Sequence, residues 1–162
     1  MSKVLIISDL HLGHNNLAKW RGFKDAEHQD ELIINNWNKV VGKRDLVWIL
    51  GDITMETDSH YYLLNELYGR KKVVLGNHDL PKHVPELLKY VEQVGSAVRY
   101  KENILTHIPI NTNEINRFKK NIHGHLHDKI IKKNIFFKHD KYINVCCEQI
   151  NYTPIEFNKL FK

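Results

Sequence analysis

The chain has 162 residues, with a hydrophobic fraction of 42%, a charged fraction of 27% and a formal net charge of +5. That balance fits a globular domain spanning 1–162 and excludes a disordered, fibrous or disulfide-stapled chain. No apolar run approaches the roughly 20 residues of a bilayer span, and the short apolar run after Met1-Ser2-Lys3 is too brief for a signal peptide, so a cytoplasmic protein without a membrane partner is expected.

Val4–Ile7 is a continuous apolar run ending in Ser8-Asp9, the pattern of a strand buried on both faces. From Glu27 to Val41, Ile33, Trp37, Val40 and Val41 fall at helical spacing before Gly42. Leu46–Leu50 is again strand-like and runs into Gly51-Asp52, and Val73–Leu75 is a short strand entering Gly76-Asn77-His78-Asp79. Helices are expected over Ser59–Tyr68 and Val84–Val94, each closed by a glycine. Strands follow at Ala97–Tyr100, Asn103–His107, Asn121–His123, Ile130–Ile131, Ile135–Phe137 and Tyr142–Val145. The order β-α-β-α-β-α and then mostly β fits two mixed sheets packed together with helices outside. Trp20, Trp37 and Trp48 sit in apolar patterns and read as core. The only cysteines, Cys146 and Cys147, are adjacent in an apolar run and read as buried reduced thiols.

Each polar motif follows an apolar strand, and the carboxyl ends of strands are where α/β proteins build their sites. Asp9-Leu10-His11 offers an oxygen and a nitrogen from alternate positions, which point the same way in extended chain. His125-Leu126-His127 offers two imidazoles at the same spacing. Asp52 has two carboxylate oxygens, enough to bridge two cations, while Asn77 adds an amide oxygen and His107 another imidazole. A thiolate-free set of carboxylate, amide and imidazole donors suits borderline divalent cations, manganese first, with iron, zinc or nickel as alternatives. Alone, a strand-end histidine reads more readily as a surface residue than as a ligand, and Gly-Asp after a strand as a turn. A His-Gly-His-Leu-His run in the same chain as Gly-Asn-His-Asp reads as neither.

The series Ser8-Asp9-Leu10-His11, Gly51-Asp52, Gly76-Asn77-His78-Asp79, Thr106-His107 and Gly124-His125-Leu126-His127 resembles the calcineurin-like metallophosphoesterase family along essentially the whole chain. Gly13-His14, Arg21-Gly22-Phe23 and Asn36-Trp37-Asn38 are further similar to its small bacterial and phage members. The resemblance implies a four-layer α-β-β-α sandwich with a dinuclear metal centre at the sheet edge. One ion would be held by Asp9, His11, Asp52 and His127, the other by Asp52, Asn77, His107 and His125. It further implies that His78 stands over the substrate phosphate as general acid, with Asp79 orienting it. His14, Asn15 and Arg21 follow the first motif closely enough to reach the substrate. For Arg21, a phosphate clamp and an ordinary surface ion pair are equally open, and His123 reads as a buried, hydrogen-bonded histidine.

The protein Ser/Thr phosphatases of that family continue Gly-Asp with a further Asp-Arg-Gly, whereas this chain continues Ile53-Thr54-Met55-Glu56. The missing arginine argues against a phosphoprotein and for a small phosphodiester, nucleotide-like or otherwise, hydrolysed by a metal-activated water. A nuclease acting on ends or single strands is a second reading. It rests on the basic half beyond residue 100, with 11 Lys/Arg against 6 Asp/Glu, and on Phe136 and Phe137 among the lysines of Lys129–Lys141. A phosphomonoesterase is a third reading, and a non-catalytic scaffold of the same fold the least favoured.

Overall fold

The computed structural model describes residues 2–131 and 139–161. Nine strands in these residues form two mixed sheets. The first has the order β4-β3-β2-β1-β9. Its strands β1 (Val4–Ile7), β2 (Leu46–Ile49), β3 (Arg70–Val74) and β4 (Gln93–Gly95) run parallel, and β9 (Ile155–Glu156) lies antiparallel to β1. The second has the order β5-β6-β7-β8. Here β5 (Ala97–Tyr100) is antiparallel to β6 (Asn103–Thr106), while β7 (Asn121–His123) and β8 (Tyr142–Asn144) continue in parallel.

Strand alternation divides the apolar residues between two cores. Leu5, Ile7, Val47, Ile49 and Val73 pack beneath helix α2, where they meet Ile33 and Trp37. The intervening Ile6, Trp48, Leu50 and Val74 turn to the other face and meet Leu105, Ile122 and Val145 of the second sheet. This double burial explains why β1 and β2 are apolar at every position. Two helices precede β2, α1 (Asn15–Trp20) and α2 (Ala26–Val40), and the side chain of Asp25 caps the second by accepting from the His28 amide. Trp37 is fully buried and donates from Nε1 to the Tyr68 carbonyl at 2.8 Å, fixing the helix to the loop before β3.

On the outer face of the second sheet the fourth layer is slight. Among the described residues it is a loop with one 3₁₀ turn, Ile115–Arg117. Asn121 pins it, donating to Thr106 Oγ1 at 2.9 Å and accepting from the Ile110 amide at 2.9 Å, while the Tyr142 hydroxyl donates to the Ile110 carbonyl.

Several sequence expectations change. Ser59–Tyr68 forms only a 3₁₀ turn, Tyr61–Asn65, and the expected helix 84–94 shrinks to one turn, α3 (Val84–Leu87), behind the 3₁₀ turn Pro81–His83. Pairing explains the second change. Val94 lies opposite Val73 and extends the sheet as β4, which satisfies an apolar residue as well as a helix face would. The short helix α1 buries only Ala18, too little to leave an apolar period in the sequence. Trp20 is not core but 58% exposed, whereas Trp37 and Trp48 are buried. Ile130–Ile131 carries no regular structure, and Ile135–Phe137, with Phe136 and Phe137, lies outside the described residues. No described helix is long and apolar enough to cross a membrane.

Replacing Trp37 with Ala removes a fully buried side chain and its hydrogen bond, and should lower stability in urea unfolding by about 3–5 kcal/mol.

Candidate metal centre

The donors stand where the strands end. Asp9 and His11 follow β1, Asp52 follows β2 and Asn77 follows β3, while His107 follows β6 and His125 and His127 follow β7. The first sheet thus brings four of them and the second sheet three. Their backbone is unusual. Asp9, His11, Asp52, His125 and His127 all have positive φ, between 49° and 70°, a conformation that costs a non-glycine residue about 1–3 kcal/mol. Asp9 and His11 therefore share a face through two left-handed residues flanking buried Leu10, not through the extended chain that their spacing suggests. Backbone bonds from Asp9 N to Gly51 O, His11 N to Asp52 O and Leu12 N to Ile53 O hold this loop against the next one. Gly124 has no room for a side chain, because a Cβ there would collide with Ser8 Oγ and Asp9 Oδ2.

Two groups of donor atoms converge, each within 4.8 Å: Asp9, His11 and His127 in one, and Asp9, Asp52 and His107 in the other. Asp52 Oδ2 stands 3.6 Å from His11 Nε2 and 3.3 Å from His107 Nε2, between one imidazole of each group. His125 joins neither group, but its ring lies 5.1 Å from that of His107. Asn77 Oδ1 is 2.9 Å from His107 Nε2.

The chemistry of these atoms calls for cations. Asp9 Oδ1 and both ring nitrogens of His11 are buried and have no hydrogen-bond partner. The other Asp9 oxygen accepts from Ser8 Oγ at 2.5 Å, the His125 amide at 2.9 Å and Cys146 Sγ at 3.1 Å. Burial opposes charge on Asp9, but the neighbouring His11 and His107, with the Ser8 hydroxyl and the His125 amide, prevail and hold the carboxyl well below its usual range. His107 Nδ1 lies 2.8 Å from the Leu50 carbonyl, which can only accept, so Nδ1 carries a proton. The Nε2 lone pair of the neutral ring then faces two oxygens, Asn77 Oδ1 and Asp52 Oδ2, an arrangement that a proton or a metal ion relieves. For His107, burial works against imidazolium, yet Asp52 and Asp9 raise its pKa overall. His125 is shifted the other way, by burial and by the His107 charge, which leaves it neutral and able to donate a lone pair. The donors fit divalent cations.

Around them lies a supporting layer that the motifs did not disclose. Glu148 Oε1 is 2.9 Å from His127 Nδ1 and 2.8 Å from Arg21 Nε. It forms the carboxylate–imidazole pair that orients a ligating histidine and fixes its tautomer. Arg21 is fully turned inward, donating also to the carbonyls of Asp9 and Leu10 and to Gln29. It is neither a phosphate clamp nor a surface ion pair but a brace behind the first loop. Asn15 is likewise structural, since Oδ1 accepts from the Ala26 amide and joins α1 to α2. Of the three substrate-binding candidates only His14 faces the centre, its ring 6.2 Å from His11, and burial with nearby positive groups lowers its pKa. His123 is buried with Nδ1 on the Gly124 carbonyl, and burial pushes it down to about 4. Cys146 and Cys147 are buried free thiols.

The residue that holds His78 also differs from expectation. Asp79 accepts from the amides of Asp52, Gly76 and Ile53, locking the second and third loops together, and makes no hydrogen bond to the His78 ring. Instead, His78 Nδ1 lies 3.2 Å from Glu56 Oε1. No sequence rule singles out Glu56 or Glu148, because each meets its histidine across a loop or a sheet. The positive φ of Glu56 turns it back toward the centre.

A family profile described as calcineurin-like phosphoesterase matches residues 2–161. An uncharacterized protein of Methanocaldococcus jannaschii is 33% identical over 100% of this chain and 91% of its own length. The gene 66 protein of Mycobacterium phage D29 is 32% identical, covering 83% of each chain. Among solved structures, a protein of unknown function from Aquifex aeolicus superposes with a TM-score of 0.73 at 23% identity, over 99% of this chain and 98% of its own. A nuclease from Pseudomonas putida gives 0.54 at 18% identity, over 76% and 61%. Both structures share the fold.

Removing the Glu148 carboxylate in Glu148→Ala should weaken binding of Mn²⁺ about 10–100-fold in isothermal titration, with Glu148→Gln falling between the variant and the parent.

Proposed function

The chain belongs to the calcineurin-like phosphoesterase family, and from that premise we propose that it hydrolyses a small phosphodiester, with His78 as general acid. As a member it is a metal-dependent phosphoester hydrolase. Asp9, His11, Asp52 and His127 would hold one divalent cation and Asp52, Asn77, His107 and His125 the other, with manganese the favoured metal. When bound, such a pair supplies Lewis acidity and lowers the pKa of a water.

The protein's own groups do the rest. Glu56 accepts from His78 Nδ1 and fixes the ring, leaving Nε2 as the atom from which a proton can pass to the departing ester oxygen. Asp79 keeps the loops of Asp52 and Asn77 in register, so that the donors and the acid keep a fixed separation. Glu148 and Arg21 prevent His127 from turning.

One observation favours the diester: the carboxylate of Glu56 sits against His78, and the guanidinium of Arg21 is spent on protein acceptors. A monoester dianion brings an additional negative charge to that end of the site and finds no free arginine to receive it. A diester monoanion avoids the repulsion.

Chelation should abolish hydrolysis and Mn²⁺ restore it. The metal-loaded protein should hydrolyse bis-p-nitrophenyl phosphate at least as well as p-nitrophenyl phosphate, and a clear preference for the monoester would overturn the diester reading. In addition, His78→Ala should lower turnover of alkyl diesters about 10²–10⁴-fold while metal content stays near that of the parent. The loss should be smaller with p-nitrophenolate, which departs without a proton. An equal loss on both leaving groups would make His78 a phosphate-binding residue.

A further inference from the structure

We propose that Trp20 is a stacking platform for a planar group, a nucleobase or one of similar shape, on the part of the ester that stays with the phosphate; this rests on the diesterase reading. Trp20 is 58% exposed, although a side chain of its size ordinarily contributes to a core. It is also firmly placed. Its helix is anchored by buried Ala18, and the next residue is Arg21, whose guanidinium holds the Asp9 and Leu10 carbonyls and Glu148. The fold thus fixes the backbone at Trp20 against the donor loop and leaves the indole outside.

Its position relative to the centre gives the exposure a meaning. Aromatic rings follow one another across the centre, from partly exposed His78 over buried His11 to His127. His78 lies 5.9 Å from His11, His11 is stacked 5.4 Å from His127, and Trp20 meets His127 edge-on at 6.1 Å. The proposed acid stands at one end of this row and the indole at the other. A diester whose leaving oxygen faces His78 therefore directs its retained substituent toward Trp20. Indole offers a flat, apolar, polarisable face, which accepts any base without reading its edge. The platform selects for an aromatic substituent and not for a sequence.

The test uses two substrates with one leaving group, the p-nitrophenyl ester of thymidine 5′-monophosphate and methyl p-nitrophenyl phosphate. Trp20→Ala should reduce the ratio of their kcat/KM values roughly 5- to 100-fold, the range of one base–aromatic stack, mainly through KM of the nucleoside ester. Trp20→Phe should retain most of the ratio, and Tyr68→Ala, which removes an exposed aromatic ring far from the donors, should not change it. An unchanged ratio in Trp20→Ala overturns the proposal, as does an equal loss on both esters, which would make Trp20 a support for His127. Thymidine 5′-monophosphate should also quench the indole emission of the parent protein and fail to do so in Trp20→Phe, since Trp37 and Trp48 are buried. If the parent hydrolyses neither ester, the diesterase reading fails, and quenching alone then decides the platform: quenching lost in Trp20→Phe upholds it and no quenching in the parent overturns it.

Discussion

The buried carboxylate of Asp9 is the constraint on which the remainder of the molecule depends. Placing a charge out of water costs several kcal/mol unless partners compensate. One oxygen finds them in Ser8, the His125 amide and the Cys146 thiol, from both sides of the seam between the sheets. The seam is closed at the same point by backbone bonds, Ser8 N to Val145 O and Cys147 N to Ser8 O. Bringing those donors to one atom requires a bare glycine at 124 and left-handed turns at 9 and 125. The second oxygen receives nothing from the protein. An arrangement that satisfies half of a buried carboxylate is poor for stability and well suited to holding a cation.

How much of this was legible in the sequence varies with the range of the interaction. The doubly buried strands Val4–Ile7 and Leu46–Ile49 and the amphipathic α2 are local patterns, and they appear with boundaries shifted by at most about a residue. The donors were visible because a strand end followed by Asp or His is also local. What escaped was decided across long separations. Residue 94 became a strand because Val73 needed a neighbour, and Glu148 supports His127 from another loop. From its place after the first motif Arg21 fitted a phosphate clamp and a surface ion pair equally, yet its partners lie behind the loop. Trp20 looked like core because three apolar residues in a six-residue helix cannot reveal which side of it meets solvent.

The exchange of partners between Asp79 and Glu56 has the same origin. Three amides of the adjoining loops point at Asp79, and a carboxylate surrounded by amide donors has little capacity left for an imidazole. Glu56, more exposed, is free to take His78. One carboxylate thus fixes the backbone and another holds the ring, and a motif read only along the chain assigns both tasks to the nearer residue.

The division of donors between two sheets carries a consequence beyond catalysis. Any ion held by Asp9 together with His127, or by Asp52 together with His107, fastens one sheet to the other at the edge where the strands end. Such an ion binds only the closed molecule, so folding free energy rises with the logarithm of its free concentration. Transient parting of the second sheet would then become rarer as the ion becomes more abundant, and with it access for proteases. The survival time of the polypeptide would follow the cell's supply of the ion that its activity requires, and starvation for the metal would remove the protein as well as silence it.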